Sequence, residues 1–505
     1  MADSQWTGLV NRESLLGVGR ALGTGPRGHF LSMLIPALVG ILVARLLVAS
    51  PVLTLAAIAG VIVVGALLVR VELAALVFVA VEPFEDYAKS LSGSAIKGLG
   101  AILILSWLIR LVIPTLGEFG REKRYRPRGG ALRNPVVLAA LTLLAIALAS
   151  TVVHPNGSVG LQVLVRYLSF IGALVVLVDC MYKRLSVRLV VIVFVASCTV
   201  SSVVGLVNYF SGAVRTGGPI GDPNDFAFFL VAALPLALGL RRTVRHPLLC
   251  DIAALLIGLS MAGTLSRGAL AGVLGMVIFA LLTRLIRLKT VIVGVLALAA
   301  VLGITLFVQS SAIQNSLHQK QFVAQQNIDE RLVRWRAAAE MTFDYPVLGL
   351  GPAGFRLNYD RWVGGDPSNL VHRLDVAHET YLEAASELGL PGLAAFLAIL
   401  VLGFAGAYRR SRLPDADNWY AGAVCAGLIG TAIAALFLTE QYYLPLWLLA
   451  ALGAAMDPRA QTIGSDVNNG DANHRYGGLK GRSSSKLFVT DRTVSRVDGV
   501  VTSHE

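Results

Sequence analysis

Pro135-Val-Val-Leu-Ala-Ala-Leu-Thr-Leu-Leu-Ala-Ile-Ala-Leu-Ala-Ser-Thr-Val-Val153 carries no charged side chain anywhere along its length. At a helical rise of about 1.5 Å per residue it reaches nearly 30 Å, the thickness of a bilayer's hydrocarbon core, so it reads as a transmembrane helix. Similar runs lie near 30–49, 52–69, 71–82, 95–113, 160–180, 187–208, 225–240, 247–264, 267–283, 290–308, 390–408, 419–438 and 441–456. They predict an all-α, polytopic transmembrane helical bundle of about 12–14 spans, the run at 71–82 being too short to cross comfortably. Composition agrees. Of 505 residues 55% are hydrophobic and 15% charged, and the mean hydropathy of +0.69 excludes a soluble protein of this size.

Charge placement then sets an expected topology. The formal net charge of +12 does not form a nucleic-acid face, because the basic residues are dispersed among short loops. Lys123, Arg124, Arg126 and Arg128 share one loop, Lys183, Arg184 and Arg188 a second, Arg241, Arg242 and Arg245 a third. Arg284, Arg287 and Lys289, then Arg409, Arg410 and Arg412, complete the set, and all are expected on the cytoplasmic side. Both chain termini then fall in the cytoplasm. The division expected is a polar cytoplasmic segment 1–29 without a cleavable signal, a transmembrane domain 30–456, and a polar tail 457–505 whose Ser, Asn, Asp and Gly content predicts disorder.

Residues 309–389 form the one sizeable exterior insert. A structureless connection of that length is rare in a compact protein, so a helical extracytoplasmic cap is expected. Within it Ile328 to Phe343 reads as an amphipathic helix, with Leu332, Trp335, Ala339 and Phe343 on one face and Glu330 and Arg334 elsewhere. Cys180, Cys198, Cys250 and Cys425 lie in or beside apolar runs, so neither a disulfide framework nor a thiolate metal site is expected. No His and carboxylate spacing suggests a metal centre or another cofactor.

Chemistry concentrates in the exterior segments. Asp375-Val-Ala-His378-Glu-Thr-Tyr381-Leu predicts a helix capped by Asp375 and stopped by Gly389 and Pro391, with His378 at its third position. The positive end of the helix dipole there favours the neutral imidazole, which a general base requires. The plain alternative is a first-turn histidine bonded to Asp375 or water.

Arg215-Thr-Gly-Gly-Pro-Ile-Gly-Asp-Pro-Asn224-Asp225 places an arginine beside a helix start capped by Asn224 or Asp225, an arrangement suited to an anion. The alternative is a tight turn whose arginine reaches the lipid headgroups. Thr264-Leu-Ser266-Arg267-Gly268 begins a span with an arginine, a costly choice beside hydrocarbon that suggests a task, the alternative again being an arginine that snorkels to the interface. Arg331 to Trp335, whose arginine has the plain alternative of a solvated face residue, is followed by Gly349, Gly351 and Gly354, a literal G-x-G-x-x-G. It follows a helix, contains a proline and lies outside the cytoplasm, so dinucleotide binding is rejected and the glycines are expected to shape a loop.

In order, these pieces resemble the O-antigen ligase and polymerase family over roughly residues 200–410. They are an arginine before Gly-Pro-x-x-x-Pro-Asn-Asp, Ser-Arg-Gly-Ala, Arg-x-x-x-Trp, Pro-x-x-Gly-x-Gly and Ala-His-x-x-Tyr-Leu. The resemblance implies a metal-independent, inverting glycosyltransferase of the bacterial cytoplasmic membrane. Its donor would be a polyprenyl-diphosphate-linked glycan met at the outer surface. The acceptor would be a glycan, lipid or protein. It also implies roles. Arg215 and Arg267 would bind the diphosphate, His378 would deprotonate the acceptor hydroxyl or help orient it, and Arg331, Tyr381, Asn224 and Glu379 would support the substrates. Many relatives carry asparagine where this chain has Glu379, and a carboxylate there would raise the pKa of His378 or compete for its proton. A transporter or lipid-linked glycan flippase is the competing class, which expects ionisable groups near mid-membrane and an inverted repeat. A scaffolding membrane protein would leave the exterior arginines unexplained.

Overall fold

The structure, a computed structural model, describes residues 50–91, 93, 95–113, 130–308, 331–363, 376–414 and 418–459. Among these every regular element is a helix. In chain order they are α1 (Pro51–Val69), α2 (Val71–Val81), α3 (Glu85–Leu91), α4 (Ala95–Val112), α5 (Pro135–Val153), α6 (Gly157–Lys183), α7 (Val187–Phe210) and α8 (Pro223–Leu240). There follow α9 (Pro247–Thr264), α10 (Arg267–Leu282), α11 (Leu288–Val308), α12 (331–344), α13 (Gly354–Trp362), α14 (Thr380–Ser411), α15 (Asn418–Ala434) and α16 (Leu444–Met456).

Six of the described helices, α5 to α9 and α14, are long and apolar enough to cross a membrane. Helices α10, α15 and α16 are apolar but shorter. The runs expected at 52–69 and 71–82 form one element bent by 116° at Arg70, a broken span or re-entrant loop in place of two crossings. Val71–Val81 spans only half the hydrocarbon thickness by its rise, so it has no means of crossing alone. The run at 30–49, the N-terminal segment and the tail beyond 459 lie outside the described residues.

Packing makes one bundle. Helix α14 lies against α5, α15 and α16, while α15 also packs on α8 and α10. Lipid supplies no hydrophobic drive between helices, so close approach has to do the work, and small residues permit it. A Cβ placed on Gly453 of α16 would lie 2.1 Å from the carbonyl oxygen of Gly403 on α14. Large apolar side chains such as Val61, Val152 and Leu270 are instead exposed, at 72%, 81% and 72%, as an outer surface bathed in hydrocarbon would be.

Because successive helices run antiparallel, the segments 154–156, 211–222, 265–266, 376–379 and 435–443 gather at one end. Thr216 N donates to Gly263 O and Thr380 N to Ala435 O at that end, both at 3.0 Å. The basic segments gather at the other, where Arg409 pairs with Asp457 and Asn134 Nδ2 donates to Ala454 O.

The stop expected at Gly389 and Pro391 is a kink. Helix α14 runs on to Ser411, with Gly389 at φ 72 and ψ 179. The break frees backbone groups that pair with the Gly349 loop. Leu350 N donates to Ser386 O and Gly351 N to Glu387 O, both at 2.9 Å, and Leu390 N to Pro346 O at 2.8 Å. Gly349 adopts φ 62, and a Cβ there would sit 2.3 Å from the Glu387 carbonyl carbon. The glycine pattern therefore serves close backbone pairing. Gly349→Ala is expected to destabilise the protein by about 2 kcal/mol or more, read as a lower thermal unfolding midpoint, because backbone rather than a movable side chain meets the new methyl.

The amphipathic helix expected from residue 328 is α12, but it buries the other face. Arg334, Ala337, Ala338, Met341 and Thr342 are buried, whereas Leu332 and Phe343 are 54% and 82% exposed. Ala337, Ala338 and Met341 cluster with Phe355, Tyr359 and Ala377, while Leu332 and Phe343 lie outside that cluster.

Candidate active site

Helix α14 starts at Thr380, with Glu379 as its N-cap. The Glu379 carboxylate accepts the Leu382 N–H, satisfying a first-turn donor that the helix itself cannot. His378 therefore lies before the cap, in the left-handed region at φ 53, and not at the expected third helical position. Asp375, the expected cap, lies outside the described residues.

A carboxylate inside the helix holds this segment from below. Glu383, 2% exposed, accepts from Ala377 N at 2.7 Å, Thr439 Oγ1 at 2.9 Å and Gln441 Nε2 at 3.1 Å. Thr380 adds two side-chain bonds, donating from Oγ1 to Leu438 O at 2.7 Å and accepting from Glu440 N at 2.9 Å. The loop 435–441 is thus the seat on which His378 is fixed. Tyr381 belongs to that seat as well, since its hydroxyl donates to Ala432 O at 2.7 Å and its ring meets Phe396.

Cations surround the imidazole. Burial first, then the guanidinium groups of Arg334 and Arg331, push the His378 pKa down to about 4, with Asp222 opposing. Desolvation and positive neighbours thus favour the neutral imidazole, where the sequence reading invoked the helix dipole. Arg331 is half-buried and its own pKa is lowered by burial, by Arg334 and by Arg267, which brings Arg267 of the α10 start into the same group. Glu379 does not raise the His378 pKa as expected. Its carboxylate is turned to the helix cap, and burial lifts its own pKa to about 7.

Arg215 approaches from the loop after α7. Its Nε donates to Thr264 O at 2.7 Å and its Nη2 to Asn224 Oδ1 at 3.0 Å, which ties that loop to the turn before Arg267. Burial lowers its pKa while Asp222 opposes. The N-cap of α8 is Asp222, accepting from Asn224 N at 2.6 Å, and not Asn224 or Asp225 as expected. Asp225 instead accepts from Tyr443 Oη at 2.5 Å.

The structure thus brings His378, Arg331, Arg334, Arg267 and Asp222 into one electrostatic group, with Arg215 and Asn224 bracing its edge. Tyr381 and Glu379 position the backbone. Sequence reading missed Arg334, Asp222, Glu383 and the 439–441 turn. Thr439-Glu440-Gln441 between two apolar runs was the available signal, since polar groups in so short a turn need buried partners. Among the described residues no three His, Cys, Asp or Glu side chains group closely enough to hold a metal ion. What the arrangement offers is a neutral imidazole beside a cluster of guanidinium forks, hence a proton acceptor next to a site for a multiply charged anion.

Residues 252–397 match the O-antigen ligase family. The matched stretch runs from α9 into α14 and includes Arg267, Arg331 and His378. No curated protein matches the chain.

Proposed function

We propose that the protein is a membrane glycosyltransferase that moves glycan from a polyprenyl-diphosphate carrier onto a hydroxyl acceptor at the extracytoplasmic face of a bacterial cytoplasmic membrane. The observation carrying this reading is the partly buried, neutral His378 held among Arg331 and Arg334. The diphosphate lies on the guanidinium groups of Arg331, Arg334 and Arg267, with Arg215 at the edge, while the polyprenyl chain stays in lipid. An acceptor hydroxyl gives its proton to the free imidazole nitrogen of His378 as its oxygen bonds to the anomeric carbon. The bond from that carbon to the diphosphate oxygen breaks, and the electron pair leaves with the diphosphate. Attack opposite the leaving group inverts the anomeric centre. The arginines stabilise the growing negative charge, so the reaction proceeds without a divalent cation.

Purified full-length protein, a polyprenyl-diphosphate oligosaccharide and envelope acceptors in EDTA test this directly. Covalent transfer is expected. One added unit indicates a ligase and a ladder indicates a polymerase. The buried carboxylates Glu383 and Glu387, which precede the Gly389 kink at the site end, are hydrogen-bonded to Thr439, Gln441 and Tyr442 and so hold the site rather than serve as the ionisable groups a transporter would need.

A pH prediction follows from the His378 environment. A base must be unprotonated, and this one loses its proton above about pH 4 in the free protein. The acid limb of kcat/KM, which reports the free enzyme, should therefore fall only as pH approaches 4. Bound diphosphate offsets the arginines' positive charge and raises the imidazole pKa. The acid limb of kcat, which reports the complex, is expected at higher pH. Coincident limbs near 6.5 in both profiles would show that the arginines do not act on His378.

Glu379 yields a second pH prediction. Its folded pKa of about 7 lies above the ordinary 4.5, so the folded state disfavours its charged form. That penalty is present above pH 7 and disappears as pH falls towards 4.5. Glu379→Gln, which keeps an oxygen acceptor for Leu382 N, should match or exceed the wild-type unfolding midpoint at pH 8 and lose that advantage at pH 5.

A further inference from the structure

The end of the bundle opposite His378 contains a cavity of about 180 Å³, room for about six waters at liquid density. It lies between the ends of α10, α14 and α15, lined by Thr283, Arg284, Arg412 and the rings of Phe279, Tyr408 and Trp419. Arg284 and Arg412 are among its lining residues, and among the described residues no carboxylate lines it. A third guanidinium, from Arg242, sits 3.7 Å over the Trp419 ring. The first N–H groups of α15, which begins at Asn418, add to the positive field. The carbonyl ends of α10 and α14 work against it, and Arg284 and Arg412 offset them.

Two further features adjoin the cavity. Arg284 is left-handed at φ 58, directly after the α10 C-cap, where glycine leaves a helix with least strain. The strain is retained with a guanidinium at the cavity. Beside it, the outward face of α10 carries Leu270, Leu274, Ile278 and Leu282, exposed at 72%, 60%, 49% and 80%. Their spacing of four makes a continuous apolar lane along the helix, ending where the cavity begins.

We infer that this cavity binds the phosphate of an anionic phospholipid, whose acyl chains follow the α10 lane. The lane brings acyl chains to the edge of the cavity, so the phosphate presented there is that of a membrane lipid rather than a soluble ion. Aromatic rings at the rim and arginines at the helix ends are the groups that anchor a headgroup at a membrane surface. The site is separate from glycan transfer, so it stands or falls independently of that reading.

Binding is measured on the full-length protein in detergent, by quenching of tryptophan fluorescence with dibrominated phosphatidylglycerol. Dibrominated phosphatidylcholine and inorganic phosphate serve as the comparison probes. Saturable quenching by phosphatidylglycerol that disappears in Trp419→Phe is expected. Arg284→Gly and Arg412→Ala should each weaken it about fivefold, and together about thirtyfold. Glycine suits the left-handed position, so Arg284→Gly removes the charge while relieving the backbone. Arg287→Ala, in the same segment but outside the cavity lining, should bind as wild type. Equal affinity for phosphatidylcholine, or wild-type affinity in the double variant, would overturn the inference. Displacement of the lipid by micromolar inorganic phosphate would overturn the lipid source.

Discussion

Replacing His378 with asparagine is expected to lower glycan transfer by about 10²–10⁴-fold, the usual contribution of a positioned general base. Asparagine is the informative choice because His378 sits at φ 53, a conformation asparagine tolerates and alanine strains. The backbone on either side is fixed independently of the imidazole, by Glu383 on Ala377 N and by the Thr380 bonds to 435–440. The unfolding midpoint and donor binding should therefore stay near wild type while kcat falls. A loss of folding together with activity would show that the imidazole is structural.

Arg331→Ala is expected to cost about 10²–10³ in kcat, as does removing one preorganised donor from a site where negative charge develops. Arg331→Lys should recover only part of this, because an ammonium keeps the charge but not the planar fork that matches a diphosphate. A second readout separates this from a packing defect. Arg331 is one of the cations that lowers the His378 pKa, so its removal should move the acid limb of kcat/KM upwards from about pH 4. Lysine, retaining the charge, should leave that limb in place. An alanine variant with reduced kcat and an unmoved limb would place Arg331 away from the imidazole.

The bundle was legible in the sequence because apolar runs long enough to cross lipid have few other uses. Helices α5, α7 and α9 begin and end within a few residues of the runs at 135–153, 187–208 and 247–264. Inner and outer faces were not legible. By apolarity Leu332 and Phe343 would mark the buried side of α12, but they are exposed, while Arg334 is buried along with Ala337, Ala338 and Met341. The helix start at 380 was misplaced for a related reason. Asp375 is the favoured cap by residue type, and the choice of Glu379 depends on Glu383 and the distant Ala435 taking the Ala377 and Thr380 N–H groups.

The candidate site divided in the same way. His378, Arg215, Arg267 and Arg331 were visible because charge at a membrane surface needs a reason. Asp222, Glu383 and the 439–441 turn were not, because their work is to accept or donate hydrogen bonds whose partners only the fold supplies. Tyr381 stood out by its spacing from His378, yet its hydroxyl is bonded to Ala432 O, which gives it a part in holding the helix start.

The most direct test of the central claim is transfer of glycan from a polyprenyl-diphosphate donor by purified protein in EDTA, wild type beside His378→Asn. Covalent product from the wild type, reduced at least about a hundredfold in a variant that unfolds at the same temperature, is the result expected. Equal product from both, or movement of the lipid-linked glycan across a proteoliposome membrane with no covalent product from either, would contradict it.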